Sequence, residues 1–241
     1  MRITPVDRRD KKGIVQMYLD LGFIVLEDAV DPRIGKIIRN GIPEYMRQRT
    51  NNFAHPFENI TENFHARSLD LEQEIMEQEV KRWQVCWGYR EKERPNELEL
   101  EKILRELMLQ YIVGPYQTIT AIAEHHGIPL PKKYLPTLNM YFYKNLSKQR
   151  KEWKLPWHTD TTAILAMRSG EEGVIEVESP ITKEKYVIAT KPSVEVIGFG
   201  EKMIGYLREN NVEPKIAETS HRVVIPAGYE TRTSFTFGLQ I

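Results

Sequence analysis

Two histidines and one aspartate define the chemistry open to this chain. His158 and Asp160 stand one residue apart in Trp157-His158-Thr159-Asp160, and His221 follows 63 positions after His158 in Ser220-His221-Arg222-Val223. Two imidazoles and one carboxylate can cap one face of an octahedral metal ion and leave three positions open. That arrangement holds non-haem Fe(II) for oxygen chemistry. In an extended segment His158 and Asp160 face one side, because side chains alternate along a strand. Arg232 and Ser234, in Arg232-Thr233-Ser234-Phe235, share a side for the same reason. A guanidinium beside a hydroxyl suits a carboxylate. The set points to a metal centre with an organic acid beside it, and it leaves the substrate open.

The elements that must position these residues are mostly strands. Thr137 to Tyr143, Ile164 to Met167, Gly173 to Glu178, Tyr186 to Ala189, Val194 to Phe199, His221 to Ile225 and Thr231 to Gln240 are short and rich in β-formers. Turns at Gly170, Pro180, Pro192 and Gly200 separate them, and such a pattern suggests a sandwich or barrel. Asn139, Tyr141 and Tyr143 alternate along the first of these strands, so an amide and two phenols on one face could hydrogen-bond a bound acid. Pro226-Ala227-Gly228 reads as a hairpin turn, whose register would set His221 across from Arg232. Arg232, Ser234 and Thr236 would then line the inner face, and Phe235 and Phe237 the opposite layer. The segment from Glu201 to Asn210 reads helical.

Before Pro136 the helical period dominates. Asp31-Pro32 opens a run of Ile34, Ile37, Ile38, Ile42, Tyr45 and Met46 with a cap and a proline in the first turn. The segment from Asn96 to His126 carries Leu100, Ile103, Leu104, Leu107 and Tyr111 at helical spacing, and Gly127 stops it. Leu21 to Leu26 reads as a strand. Between residues 50 and 95, Phe53, Phe57, Phe64, Trp83, Trp87 and Tyr89 supply aromatic surface without a clear period. One domain over residues 1–241 is expected, mostly helical over 1–135, with a β-rich core over 136–241 that carries the metal residues.

With 34 basic and 34 acidic side chains in 241 residues, the formal charge is zero. A balanced chain has no general pull towards nucleic acid or an anionic membrane. Cys86 is the single cysteine, so no intramolecular disulfide forms, which suits a reducing compartment. No stretch approaches the ~18 apolar residues of a membrane span, and the cytoplasm is the expected location. A small-molecule substrate is expected, with no nucleic-acid or membrane partner. His125-His126 reads as a helix end favoured by the dipole, and Gly198-Phe199-Gly200 as a turn, since the rest of a dinucleotide fingerprint is missing.

These motifs together resemble the Fe(II)- and 2-oxoglutarate-dependent dioxygenases, in the branch that includes isopenicillin N synthase, plant flavonoid oxygenases and aminocyclopropane-carboxylate oxidase. Gly22-Phe23-Ile24-Val25-Leu26 is similar to that family's early strand, and Leu138-Asn139-Met140-Tyr141 to its Asn-x-Tyr strand. His158-Thr159-Asp160-Thr161, Ser220-His221-Arg222-Val223 and Arg232-Thr233-Ser234-Phe235 are similar to its metal and co-substrate motifs. The resemblance implies a mainly β fold with α, a double-stranded β-helix or jelly roll braced by N-terminal helices. It implies Fe(II) on His158, Asp160 and His221, with O2 at the last open position. It implies that Arg232 and Ser234, helped by Tyr141, bind the distal carboxylate of 2-oxoglutarate, with Asn139 near the chelating end. The implied outcome is succinate, carbon dioxide and an oxidised small molecule, with hydroxylation expected ahead of desaturation or ring closure. An oxidase on the same scaffold that does without 2-oxoglutarate is the alternative, and Arg232 and Ser234 would then hold a carboxylate of the substrate itself. The DNA-repair branch fits less well, because Gly238 stands where that branch carries a second arginine.

Overall fold

Alternation of apolar and polar residues builds most of this fold. The computed structural model describes residues 3–27, 64–69, 80–88, 103, 110–145, 152–169, 173–191 and 193–241. In chain order the elements are β1 (Val6–Asp7), α1 (Lys11–Leu21), β2 (Ile24–Glu27), β3 (Phe64–Leu69), β4 (Val80–Gly88), α2 (Val113–His126) and β5 (Leu135–Asn145). There follow β6 (Trp153–Lys154), β7 (Ile164–Ser169), β8 (Gly173–Glu178), β9 (Lys185–Thr190), β10 (Val194–Phe199), α3 (Glu201–Glu209), β11 (Ser220–Ile225) and β12 (Thr231–Gln240).

The strands form two sheets. The larger runs β1-β2-β10-β7-β12-β5-β4-β3 and the smaller β6-β11-β8-β9. Non-consecutive neighbours mean that the chain crosses repeatedly between sheets, as in a jelly roll. Each central strand of the larger sheet splits its residues between two layers. Ile164 and Ala166 of β7, Ile197 and Phe199 of β10, and Phe237 and Leu239 of β12 pack with Ile14 and Tyr18 of α1 and Ile119 and Ile122 of α2. The intervening Leu165, Met167, Val194 and Val196 pack instead on Ile175 and Val177 of β8 and Tyr186 and Ile188 of β9. Helices thus cover one face of the larger sheet and the smaller sheet covers the other.

The helices are held by specific ends. The Asp10 side chain accepts from the Gly13 amide at 3.0 Å, and Gly22 and Gly127 end α1 and α2 in the left-handed region with φ of 70° and 66°. The two helices meet through Tyr18 Oη and His126 Nε2 at 3.1 Å and through Lys11 and Glu124 at 2.7 Å. On the helix-facing side of the sheet, Arg168 donates to Glu195 at 2.9 Å, with both side chains buried. Arg168 also stacks over the Tyr111 ring at 4.7 Å. A Cβ on Gly114 would lie 2.4 Å from the Glu195 carboxylate, so that glycine makes room for the ion pair.

One sequence expectation needs correction. The turn at Pro226–Gly228 is not a hairpin. β11 pairs with β6 and β8, whereas β12 pairs with β5 and β7. Both edges of each strand are taken, and Gly228 (φ 85°) carries the chain across from one sheet to the other. His221 and Arg232 therefore lie in opposite sheets. Between residues 50 and 95, where the sequence shows no clear period, β3 and β4 are strands that extend the larger sheet beyond β5. The expected helix from Asp31 to Met46 and most of the helix start before Val113 lie outside the described residues. No helix among the described residues is long and apolar enough to cross a membrane.

Candidate metal centre and carboxylate clamp

His221 opens β11 and is buried, paired in register with Val177 of β8. After β6 the chain stays alongside β11. Leu155 donates to the Val223 carbonyl, and the backbones of His158 and His221 exchange hydrogen bonds of 3.1 and 3.0 Å. That bridge brings the two imidazoles together, tilted at 55° with their centroids 4.3 Å apart. Asp160 follows two residues on. One ligand atom from each of His158, Asp160 and His221 falls within 4.8 Å of the other two. The three residues thus form a single cluster, in which His158 is exposed and His221 buried.

The proton positions decide what this cluster can hold. His158 Nδ1 lies 3.1 Å from the Pro156 carbonyl oxygen and His221 Nδ1 3.2 Å from that of Thr219. A carbonyl only accepts, so each Nδ1 is assigned the proton and each Nε2 keeps a lone pair. Burial, with His158 nearby, pushes the His221 pKa down to about 4 despite the opposing pull of Asp160. At neutral pH the ring is uncharged. Its bare Nε2 then faces Asp160 Oδ2 at 3.3 Å with no proton between them. That oxygen is buried and has no hydrogen-bond partner among the described residues. Two lone pairs aimed at each other repel unless a cation lies between them. The spacing is close to the roughly 3 Å chord of two ~2.1 Å metal–ligand bonds at a right angle. The donor set fits a divalent transition metal, and the anchored Nδ1 atoms are the usual outer support of metal-binding histidines.

The same protonation makes a pH prediction. In the metal-free protein His221 titrates at about 4, against 6.5 unperturbed. A lowered native pKa means that the unfolded chain takes up the proton first, so acid favours unfolding. Stability is full above pH 6.5 and falls between pH 6.5 and 4. Thermal melting of the metal-stripped protein should show this decline, and His221→Gln, which has no ring to charge, should flatten it. Equal slopes in the two proteins would refute the assignment.

The turn from β10 into α3 fixes Asp160. The Glu201 amide donates to the Asp160 carbonyl at 3.2 Å and the Gly200 amide to that of Ala163 at 3.2 Å. A Cβ on Gly200 would lie 2.1 Å from the Thr162 carbonyl oxygen and 2.3 Å from that of Asp160. Only glycine permits this approach, so Gly200→Ala is expected to weaken Fe(II) binding by about 10-fold or more. Glu201→Pro is the gentler variant. It deletes the N–H that holds Asp160, at the first helical position where proline is tolerated. Competition with a chromophoric chelator measures both, and wild-type affinity in both variants would remove the turn from this role. The sequence marks Gly200 only as a turn, because it carries no signal of close approach.

Arg232 and Ser234 lie on the face of β12 that looks towards the smaller sheet, and both are buried. Arg232 reaches across the sandwich. Its Nη1 donates to the Val174 carbonyl at 2.9 Å and its Nη2 to Ser169 Oγ at 3.0 Å, with Ser169 2.6 Å from Thr190 Oγ1. A Cβ on Gly173 would lie 3.0 Å from the guanidinium carbon, so this glycine gives the guanidinium its room. The Ser234 and Thr236 hydroxyls are buried without hydrogen-bond partners among the described residues, as donors awaiting a ligand would be. Asn139, Tyr141 and Tyr143 of β5 pair in register with Thr236, Ser234 and Arg232. Ser169, Gly173 and Thr219 were not singled out from sequence. Thr219 holds the His221 ring with its carbonyl, while its hydroxyl bonds Gly22 and Phe199.

No protein-family model matches the chain, and no curated protein matches its sequence. Solved structures do match its fold. A full-length Neurospora crassa protein in complex with alpha-KG is 18% identical, covers 97% of this chain and 78% of its own, and has a TM-score of 0.61. The dioxygenase for auxin oxidation 1 from Arabidopsis thaliana, in its 2-oxoglutarate complex, is 13% identical over 98% of this chain and 90% of its own, with a TM-score of 0.62. The rice dioxygenase for auxin oxidation gives 14%, 99%, 83% and 0.61. The chain thus has a β-sandwich of the jelly-roll kind, the β part of the fold that the sequence resemblance implied.

Proposed function

We propose that this protein is an Fe(II)- and 2-oxoglutarate-dependent oxygenase of a small organic molecule, hydroxylating it ahead of desaturation or ring closure. His158, Asp160 and His221 hold the iron. Arg232 and Ser234, with Tyr141, hold the distal carboxylate of 2-oxoglutarate, and Asn139 supports the end nearer the metal. The observation that carries this reading is the convergence of one ligand atom from each of His158, Asp160 and His221 within 4.8 Å. Bound iron would chelate the 2-oxo acid and use O2 to convert it to succinate and carbon dioxide while oxidising a substrate C–H bond.

The chain's own residues do the rest. Pro156 and Thr219 hold both imidazoles in the tautomer that presents Nε2. The buried Arg232 offers a guanidinium already fixed by two hydrogen bonds, so little entropy is lost on gripping an anion. His221 pairs with Val177, three residues from the Val174 that Arg232 grips, a rise of about 10 Å along β8. That length suits a five-carbon dicarboxylate held at both ends. A sole cysteine and a ferrous site both suit a reducing compartment.

Anaerobic Fe(II) followed by 2-oxoglutarate tests the reading. A weak visible metal-to-ligand charge-transfer band should appear. If iron binds and no band forms, the clamp holds the substrate's own carboxylate, and the oxidase without 2-oxoglutarate takes its place.

A further inference from the structure

The register beside β11 slips by one residue just before His158. Lys154 pairs with Val224, and the Leu155 amide donates to the Val223 carbonyl. The next paired residues are His158 and His221. Pro156 and Trp157 therefore face Arg222 alone, two residues against one, which makes a β-bulge.

The extra residue reverses the parity of the segment. Without it, Trp157 would stand opposite His221 and point into the sandwich, and His158 would point outwards. With it, His158 shares the inner side with His221, as directly paired residues do, and Trp157 turns to the outer face. Pro156 suits the bulge because it has no N–H to leave unpaired. Its carbonyl accepts from His158 Nδ1 at 3.1 Å. The bulge thus sets both the direction and the tautomer of this ligand.

A bulge interrupts the ladder, so something else must hold it. On the outer face the Trp157 ring meets two cations. The Arg222 guanidinium carbon lies 4.6 Å from the ring centroid and the Lys185 ammonium 5.1 Å from it. Arg222 is itself pinned. Its Nε and Nη2 donate to Glu176 Oε2 at 2.6 and 2.5 Å, while Lys154 Nζ donates to Glu176 Oε1 at 2.6 Å. Glu176 is buried and pairs directly with Arg222 across β8 and β11. One carboxylate thus ties the residue that precedes the bulge to the residue that opposes it. The other two ligands have supports of their own. His221 lies within β11, and the turn into α3 holds the Asp160 backbone. His158 is the exposed ligand and sits on an isolated bridge.

We propose that Arg222 is a positioning residue for the metal centre: by holding Trp157 on the outer face, it keeps the bulge that turns His158 inwards. This inference rests on the metal reading above and names what aims its most exposed ligand.

The test measures Fe(II) affinity of the full chain by competition with a chromophoric chelator. Wild type is compared with Trp157→Leu, Trp157→Phe, Arg222→Met and the double variant of Trp157→Leu with Arg222→Met. Trp157→Leu and Arg222→Met should each weaken Fe(II) binding by about 10- to 100-fold. Trp157→Phe keeps a ring face for the cation and should recover most of the loss. The double variant should bind no more weakly than the single ones, because one residue acts through the other. Trp157→Leu leaves the Arg222–Glu176 pair in place, so it carries the test by itself should Arg222→Met fail to fold. Melting with and without Fe(II) separates positioning from mere packing. A packing contact would lower both melting temperatures together and leave the metal-induced rise intact, whereas the rise should shrink in Trp157→Leu and return in Trp157→Phe. Wild-type Fe(II) affinity in Trp157→Leu, an undiminished rise, or additive losses in the double variant would each overturn the proposal. A wild type that binds no Fe(II) would instead end the metal reading on which it rests.

Discussion

Asp160→Ala is expected to remove Fe(II)-dependent turnover, by roughly three orders of magnitude or about 4 kcal/mol of barrier. Asp160 is the only carboxylate in the cluster, and two imidazoles are left without it. A second readout separates this effect from a folding defect. In the metal-free protein Asp160 Oδ2 faces the bare Nε2 of His221 at 3.3 Å, so the carboxylate costs stability there and its removal relieves the repulsion. The metal-free Asp160→Ala protein should therefore melt at the wild-type temperature or above it. Added Fe(II) should raise the melting temperature of wild type only, since only a tight ligand stabilises by mass action. A variant that melts lower without metal, or is still stabilised by Fe(II), would show that Asp160 is a structural residue.

How much of this was legible in the sequence depends on how local each signal is. His158 and Asp160 share a segment, so alternation placed them together before any fold was known. His221 was joined to them by order and motif context. The hairpin at Pro226–Gly228 misled because the turn residues that close a hairpin also serve a crossover, and only the strand edges tell the two apart. The parity was still right. Arg232 and Ser234 share the inner face, and Phe237 lies on the other. Gly200 and Gly173 were illegible for another reason. Their roles are clearances of 2.1 to 3.0 Å to groups distant in sequence, and nothing local marks them.

Arg232→Ala should weaken 2-oxoglutarate binding by at least about 30-fold, the cost of truncating one partner of a buried charge pair, while leaving Fe(II) affinity unchanged. The guanidinium is held in place by Val174 and Ser169 before any ligand arrives, so its directed N–H groups matter as well as its charge. Arg232→Lys keeps the charge but cannot make both bonds and still present a fork to a carboxylate. Its affinity should fall between those of wild type and Arg232→Ala. Gly173→Ala approaches the same group from behind. The added methyl would sit 3.0 Å from both the guanidinium carbon and Ser169 Oγ, which pushes the guanidinium from its seat and leaves its charge intact. Titration of the charge-transfer band measures all three against wild type. Weakening in the order Lys, then Ala at position 232, with a loss in Gly173→Ala smaller than that in Arg232→Ala, shows that geometry and charge act together on the distal carboxylate. If 2-oxoglutarate binds all three as it binds wild type while substrate KM rises, Arg232 grips the substrate.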